Sequence, residues 1–455
     1  MLLRWIYKTW KFLLRSLLYL TLAAVMIVTL LFGVLQLPQS KDYIARQLTN
    51  VFNDQYEGSL EIERVSGWVP LNISLHQARI FAPSEPDVSV ISIPRATLRL
   101  NLWNLLQRNI TITGFELFEP ELQIHQDQEG SYYVNRAFQP TDKNASRPID
   151  LTDRDFEQFQ IIAPSLVVHE GYISFDSEWL ENERLNLPRP LIMENLNISM
   201  FMELSSVQRF LDIDQFTAQL PNTIWQQIDL HGQIFSDEEY LEFNGFTFQT
   251  NKSHVEFSGE ITPLNLLSPS LNEQFRRASY YFNLENSSIH TKSIAALTPD
   301  FPDIDHLIDL ELTAEGTVDS LWVDRFIMRS GESVLQLTGM AQRFGLTDFS
   351  YEANIENLLL HRNELLPYLE SHLSTEEIEY LAESAIRGDV EGTLREVDAD
   401  VTLFTPEGNL RFEAFTNFRH PLNYHTRLQL DSLNIGPVFS KSFNRSNLNG
   451  IITLA

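Results

Sequence analysis

Leu335-Gln336-Leu337-Thr338-Gly339 sets the pattern for most of this chain, because apolar and polar side chains alternate along it. Alternation with a period of two residues is typical of a β-strand that has one apolar and one polar face. The pattern recurs at Val255-Glu256-Phe257-Ser258-Gly259 and at Leu410-Arg411-Phe412-Glu413-Ala414. Clean alternation is typical of antiparallel strands. These strands therefore predict a mainly β protein.

An internal repeat extends this pattern. Each copy of the alternating strand follows a strand centred on a glycine and precedes a strand that begins near a tyrosine. The glycines are Gly232, Gly316 and Gly392, and the tyrosines are Tyr280, Tyr351 and Tyr424, which lie 71 and 73 residues apart. A period near 70 residues with about four strands in each copy predicts an elongated antiparallel array whose units stack on their neighbours.

The first forty residues differ from the rest. Basic residues precede an apolar stretch, 17–37, and a bilayer span needs about 20 apolar residues. With the positive-inside tendency, this pattern predicts one transmembrane helix, a cytoplasmic N-terminus and an extracytoplasmic body. A cleaved signal peptide is the alternative, although no Ala-x-Ala site follows the stretch. The residues assigned to the anchor are Arg4, Lys8, Lys11, Arg15, Leu17, Leu22, Val25, Ile27, Leu30 and Leu35.

Four segments are predicted along the chain. They are a cytoplasmic tip and anchor (1–39), an N-terminal β region (40–138), a linker or loop (139–155) and repeated β units (156–455). The second segment opens with a helix that Ser40 could cap, since Ile44, Leu48, Val51 and Phe52 recur at helical spacing. We expect this apolar side of the helix to face a core, and a lipid-binding face is the alternative. The linker is placed by its polar residues and two prolines.

Composition excludes several classes of function. A formal net charge of −28 argues against nucleic-acid binding, which requires a basic face. The absence of cysteine excludes disulfides, thiolate catalysis and cysteine-based zinc sites. The chain carries none of the common hydrolase, metalloprotease or nucleotide-binding motifs, and its eleven histidines are dispersed. We therefore predict that it is not an enzyme and that it has no catalytic residues, metal site or cofactor.

The N-terminal third shows a characteristic order of signals. After the anchor these signals are the helix 38–52, Val65-Ser66-Gly67, the strand 71–75, residues 89–102, Trp103, residues 110–114, Leu122-Gln123-Ile124, Gly130 and Asn135. In this order, rather than in any single motif, the N-terminal third resembles the AsmA-like family and is most similar to its TamB branch.

The resemblance implies an inner-membrane protein with its body in the periplasm and a sheet curled into an open hydrophobic groove. It also implies that phospholipids move along the groove toward the outer membrane. An Omp85-type (TamA-like) outer-membrane protein is the implied protein partner. The residues predicted to line the groove are Leu71, Ile73, Leu75, Ile110, Ile112, Leu122, Ile124, Val255, Phe257, Leu335, Leu337, Leu410 and Phe412.

Alternation alone leaves a second architecture open. The apolar faces could pack against each other in a filled β-sandwich or β-solenoid, which would make the protein a non-conducting scaffold or adhesin. The repeat also predicts that the chain is the N-terminal part of a longer protein, because 448–455 matches the strand 308–315 that leads into Gly316.

Overall fold

The structure is a computed structural model, and it describes most of the chain with gaps. The described residues are 22, 26, 29–30, 32–83, 85–101, 112–126, 130–141, 161–177, 187–205, 207–266, 268, 270–297, 305–344, 349–361, 384–418, 423–434 and 447–454.

The described residues form a large, mainly antiparallel sheet of 21 strands, which confirms the predicted mainly β class. The strands are β1 (Ser59–Trp68), β2 (Asn72–Ala82), β3 (Glu85–Leu100), β4 (Ile112–Phe118), β5 (Glu121–His125), β6 (Ile161–Asp176), β7 (Leu191–Leu204), β8 (Arg209–Leu220), β9 (Gln226–Ser236), β10 (Leu241–Thr250), β11 (His254–Thr262), β12 (Ser279–His290), β13 (Leu307–Thr317), β14 (Ser320–Ser330), β15 (Ser333–Gln342), β16 (Ser350–Leu360), β17 (Ser384–Thr393), β18 (Glu396–Thr405), β19 (Gly408–Asn417), β20 (Asn423–Leu433) and β21 (Leu448–Leu454).

Four helices have defined bounds within the described residues. They are α1 (Pro38–Gln55), α2 (Tyr133–Ala137), α3 (Leu271–Arg277) and α4 (Thr291–Leu297). Helix α1 confirms the predicted helix, and it begins at Pro38, as the family resemblance implied, rather than after Ser40. Leu37 is its extended N-cap residue and Pro38 occupies the first turn, where the fixed φ of proline suits a helix start. Ser40 lies inside the helix, and its hydroxyl donates to the Val34 carbonyl at 2.7 Å.

The apolar side of α1 is only partly covered. Ala45 is the buried residue of the helix. Phe52 packs against Tyr56 and Phe138, with ring centroids 5.0 and 5.7 Å away. In contrast, Leu48 and Val51 are 43% and 51% exposed. The expectation that the whole apolar side faces a core is therefore wrong.

The predicted membrane anchor is contradicted. None of the described helices is both long enough and apolar enough to cross a bilayer. The 18-residue α1 carries four charged residues, Lys41, Asp42, Arg46 and Asp54, which a membrane span tolerates poorly. The predicted single-pass inner-membrane localisation is therefore wrong. Of the anchor residues, Leu22, Leu30 and Leu35 are described, and Arg4, Lys8, Lys11, Arg15, Leu17, Val25 and Ile27 lie outside the described residues.

The chain divides into two compact units. Unit 1 comprises 1–150, 160–178 and 192–202, and unit 2 comprises 151–159, 179–191 and 203–455. Most of the predicted linker, 142–155, lies outside the described residues.

Unit 1 departs from a purely antiparallel array. Strands β1, β2 and β3 pair antiparallel, and β3 also pairs with β4 and β5. Both β4 and β5 then pair with β6 in parallel, through Phe115 opposite Leu166 and Leu122 opposite Ile173. Parallel pairing needs a connection of about a dozen residues or more, and the segment between β5 and β6 is long enough to supply it.

Unit 2 contains the repeat. From β8 to β21 each described strand pairs antiparallel with the next. The first copy is β9–β12, the second β13–β16 and the third β17–β20. Tyr280 lies opposite Gly316, and Tyr351 lies opposite Gly392, so the end of each copy meets the beginning of the next at the same position.

Bulges occur on every second strand from β8 to β16, and another lies in β20. In β14, for example, Val323 and Phe326 lie opposite Gly339 and Leu337, so two residues rather than one separate them. The extra residue displaces the ladder locally without changing the face that the next apolar side chains occupy. The residue pairs at these bulges are Asp214-Gln215 in β8, Asn244-Gly245 in β10, Glu285-Asn286 in β12, Asp324-Arg325 in β14, Glu356-Asn357 in β16 and Asp431-Ser432 in β20. The pairings of β18 show no register shift.

Candidate functional site

One face of unit 2 carries a continuous apolar row. Side chains that lie directly opposite each other on antiparallel strands share a face. Following these pairs across the sheet gives eleven neighbouring positions on β11 to β21, all of them apolar or glycine. They are Phe257, Leu284, Leu312, Phe326, Leu337, Ile355, Gly388, Val401, Phe412, Leu428 and Ile452. We call this the central row.

A second apolar row runs beside the central row, two residues away along the strands. It crosses nine strands from β13 to β21. Its members are Leu310, Met328, Leu335, Leu358, Ile386, Leu403, Leu410, Leu430 and Gly450. Val255 precedes Phe257 by two residues and pairs with Phe248 on β10. All six groove residues predicted in the repeats are therefore on one face, which we call the apolar face.

The opposite face of unit 2 is polar and carries ion pairs. Glu311 accepts hydrogen bonds from Arg325 at 2.6 Å and Arg329 at 2.8 Å. The bond from Arg329 is the main cause that lowers the pKa of the Glu311 carboxyl. On β18, Asp400 accepts two bonds from Arg411, at 2.6 and 2.9 Å, and these lower the pKa of Asp400. The side chains of the two faces thus differ sharply in charge.

The apolar face of the second and third repeats is not packed as a core. In a filled sandwich, inward residues are buried and outward residues are exposed, in alternation. Strand β15 shows no such alternation, because all ten of its residues are partly exposed. Among the described residues from 305 to 434, the buried apolar side chains are Ala314, Ile327 and Leu433. Both faces of this part of the sheet are therefore accessible.

The predicted groove residues of unit 1 fall in three places. Leu71 lies in the turn before β2, and its carbonyl oxygen accepts a hydrogen bond from Leu100 at 2.8 Å. The remaining residues, apart from Ile110, lie on strands. Ile73 and Leu75 pair with Leu98 and Ala96, Ile112 pairs with Leu100, Leu122 and Ile124 pair with Ile173 and Phe175, and Ile110 lies outside the described residues.

Sequence reasoning missed most members of the two rows. Strands β13, β14, β16, β17, β18 and β20 contribute to both rows, yet none of their residues was predicted. The signal was present in Leu310-Glu311-Leu312 and in Leu428-Gln429-Leu430, which alternate as clearly as Leu335-Gln336-Leu337. In β14 and β16 the bulges obscured the signal, because Asp324-Arg325 and Glu356-Asn357 put two polar residues in succession.

One cavity of unit 2 lies on the polar face. It has a volume of about 340 Å³ and is lined mostly by polar-face residues, among them Glu352, Glu391 and Asp398. Three neighbouring carboxylates suit neither an acyl chain nor an anion. No group of histidine and acidic side chains in the described part of the chain could hold a metal ion.

Comparisons with models of protein families, with curated proteins and with solved structures gave no match for this chain. The resemblance to the AsmA-like family stays a prediction.

Proposed function

We propose that the apolar face of unit 2 binds the acyl chains of phospholipids and lets them move along the central row. The partial exposure of this face is the observation that carries the proposal. Monomeric soluble proteins rarely leave a large contiguous apolar patch uncovered, and such patches mark binding sites. A ligand with long apolar chains would cover the exposed side chains of this face.

The dimensions of the central row suit such a ligand. Neighbouring strands are about 4.8 Å apart, so eleven strands extend the row over roughly 50 Å. Burial of an acyl chain contributes about 0.8 kcal/mol for each methylene. A row without charged residues therefore offers a chain similar surroundings at every position, which is what movement along the row requires.

The bulges favour a curved apolar face, which could bend around a bound ligand. Each bulge, such as that at Asp324-Arg325, adds a residue between two apolar-face positions. Bulges bend the strands that carry them.

Assembly with an Omp85-type partner, implied by the family resemblance, stays a prediction with no support from the geometry.

Photocrosslinking tests the binding. A benzoylphenylalanine placed at Leu337 should give a phospholipid adduct when the full chain is expressed in cells and recovered in mild detergent. Thr338 is the matched control, since it is the next residue and belongs to the other face. Mass spectrometry should find the adduct at Leu337 and not at Thr338.

Movement needs a separate test. Leu337→Asp places a charge in the central row and should slow transfer of a fluorescent phospholipid between vesicles, whereas Thr338→Asp should not. If neither position gives a lipid adduct, or if the two Asp variants transfer phospholipid at the same rate, the protein is instead a non-conducting scaffold.

A further inference from the structure

The first repeat differs from the other two at one end of its strands. There the connection between β11 and β12, residues 263–278, includes α3, and its described residues 263–266, 268 and 270–278 pack on the apolar face. Leu264 and Ala278 of this connection are 0% exposed. They form a cluster with Leu241 and Ile261 of the sheet, which are also buried. This part of the apolar face is packed as a core.

Several contacts hold the connection in place. The Leu264 amide donates to the Glu239 carbonyl at 2.8 Å, which ties the connection to the turn between β9 and β10. The Tyr280 hydroxyl donates to the Phe275 carbonyl at the end of α3. Leu271 and Phe275 pack against the buried cluster from the helix. Both polar and apolar contacts therefore fix α3 on the sheet.

An aromatic pair marks the edge of the covered region. The rings of Tyr280 and Phe282 stack, with centroids 6.3 Å apart. Phe243 packs against the buried cluster, whereas Phe282 is 39% exposed. The transition from covered to accessible face thus occurs within β12.

The corresponding connections of the later repeats are shorter. The equivalent segments are 343–349 between β15 and β16, and 418–422 between β19 and β20. These are less than half as long as 263–278. In the row of Tyr280, the positions on β14 to β19 that follow Gly316 are all partly exposed, from Leu321 to Thr416.

We infer that the connection 263–278 is a stop that closes the acyl-chain path at this side of the first repeat. This inference rests on the proposed function. Acyl chains then occupy the apolar face from Phe282 toward β20 and do not reach the Phe243 position. The stop determines where a bound chain ends, and Tyr280 is a positioning residue because it acts through α3.

Three phenylalanines allow a matched test, because the photoreactive side chain replaces an aromatic ring at each position. Benzoylphenylalanine replaces Phe243, Phe282 or Phe326 one at a time in the full chain, and adducts are sought after incubation with vesicles of a single diacyl phospholipid. Adducts are expected at Phe282 and Phe326 and absent at Phe243. Adducts at none of the three would refute the proposed function itself. Equal adducts at Phe243 and Phe326 would overturn only the stop.

Opening the stop should extend the path. Replacing 263–278 with the natural segment 343–349 should produce an adduct at Phe243. If that exchange prevents folding, Tyr280→Phe decides, since it removes only the hydroxyl that holds α3 and should give a partial gain at Phe243. An unchanged absence of the adduct in a folded variant would contradict the inference. Gln336→Ala, on the polar face, is the control that should change nothing.

Discussion

Truncation of Leu337 provides a thermodynamic measure of how the apolar face is packed. The Leu337→Ala variant removes about three carbons, each worth about 0.8 kcal/mol when fully buried. Because Leu337 is partly exposed, the expected loss is about 1.5 kcal/mol, with no cavity contribution, since the vacated space opens to solvent. The matched variant Leu264→Ala truncates a side chain that is 0% exposed. It should cost more, within the range of about 2–5 kcal/mol seen for leucine in packed cores.

Hydrogen exchange measured by mass spectrometry is the suitable assay, because repeat arrays need not unfold in a single step. Peptides from β15 report the local opening free energy for Leu337→Ala, and peptides from β11 report it for Leu264→Ala. Thr338→Ala controls for changes to the strand itself. A loss at Leu337 as large as that at Leu264 would show a filled core and refute the reasoning behind the binding face.

Two further predictions concern the polar face and the glycines. Arg411→Ala should raise the pKa of Asp400 toward the ordinary carboxyl range, as measured by NMR titration. Because the pKa of Asp400 is lower in the folded protein than in the unfolded chain, the pair stabilises the fold above the unfolded-state pKa. This stabilisation is lost as the pH falls through the folded-state pKa. An unchanged Asp400 titration would contradict the pairing. Gly259→Ala should lower the midpoint of urea unfolding, because the added methyl would lie 2.8 Å from the Tyr281 carbonyl, whereas Gly450→Ala, with nothing within 4 Å, should leave it unchanged.

The sequence predicted alternating strands in every repeat, and it placed six of the residues on the apolar face. Alternation is a local property, and it correctly assigned Leu337 and Phe412 to one face although they lie on different strands. The parallel pairing of β4 and β5 with β6 could not be predicted in this way, because alternation does not specify the partner of a strand.

Sequence reasoning also could not predict which side chains of the helices α1 and α3 would be buried. Helix α3 has seven residues, too few to show a helical period, so nothing in the pattern indicated that Leu264 and Phe275 would pack on the sheet. For α1 the period was clear and the helix was predicted, but spacing alone did not show that Leu48 and Val51 would be exposed.

The bulges on alternate strands limit how an array of this kind can change in length. From β10 to β16, every bulged strand lies between two regular strands, and its pairing with both neighbours shifts at the bulge. Loss of a single strand would make neighbours of two strands that run in the same direction and are either both bulged or both regular. Such strands could not pair antiparallel in the register of the array. Loss or duplication of a hairpin would preserve both direction and register, so the array can evolve, or be engineered, in steps of two strands.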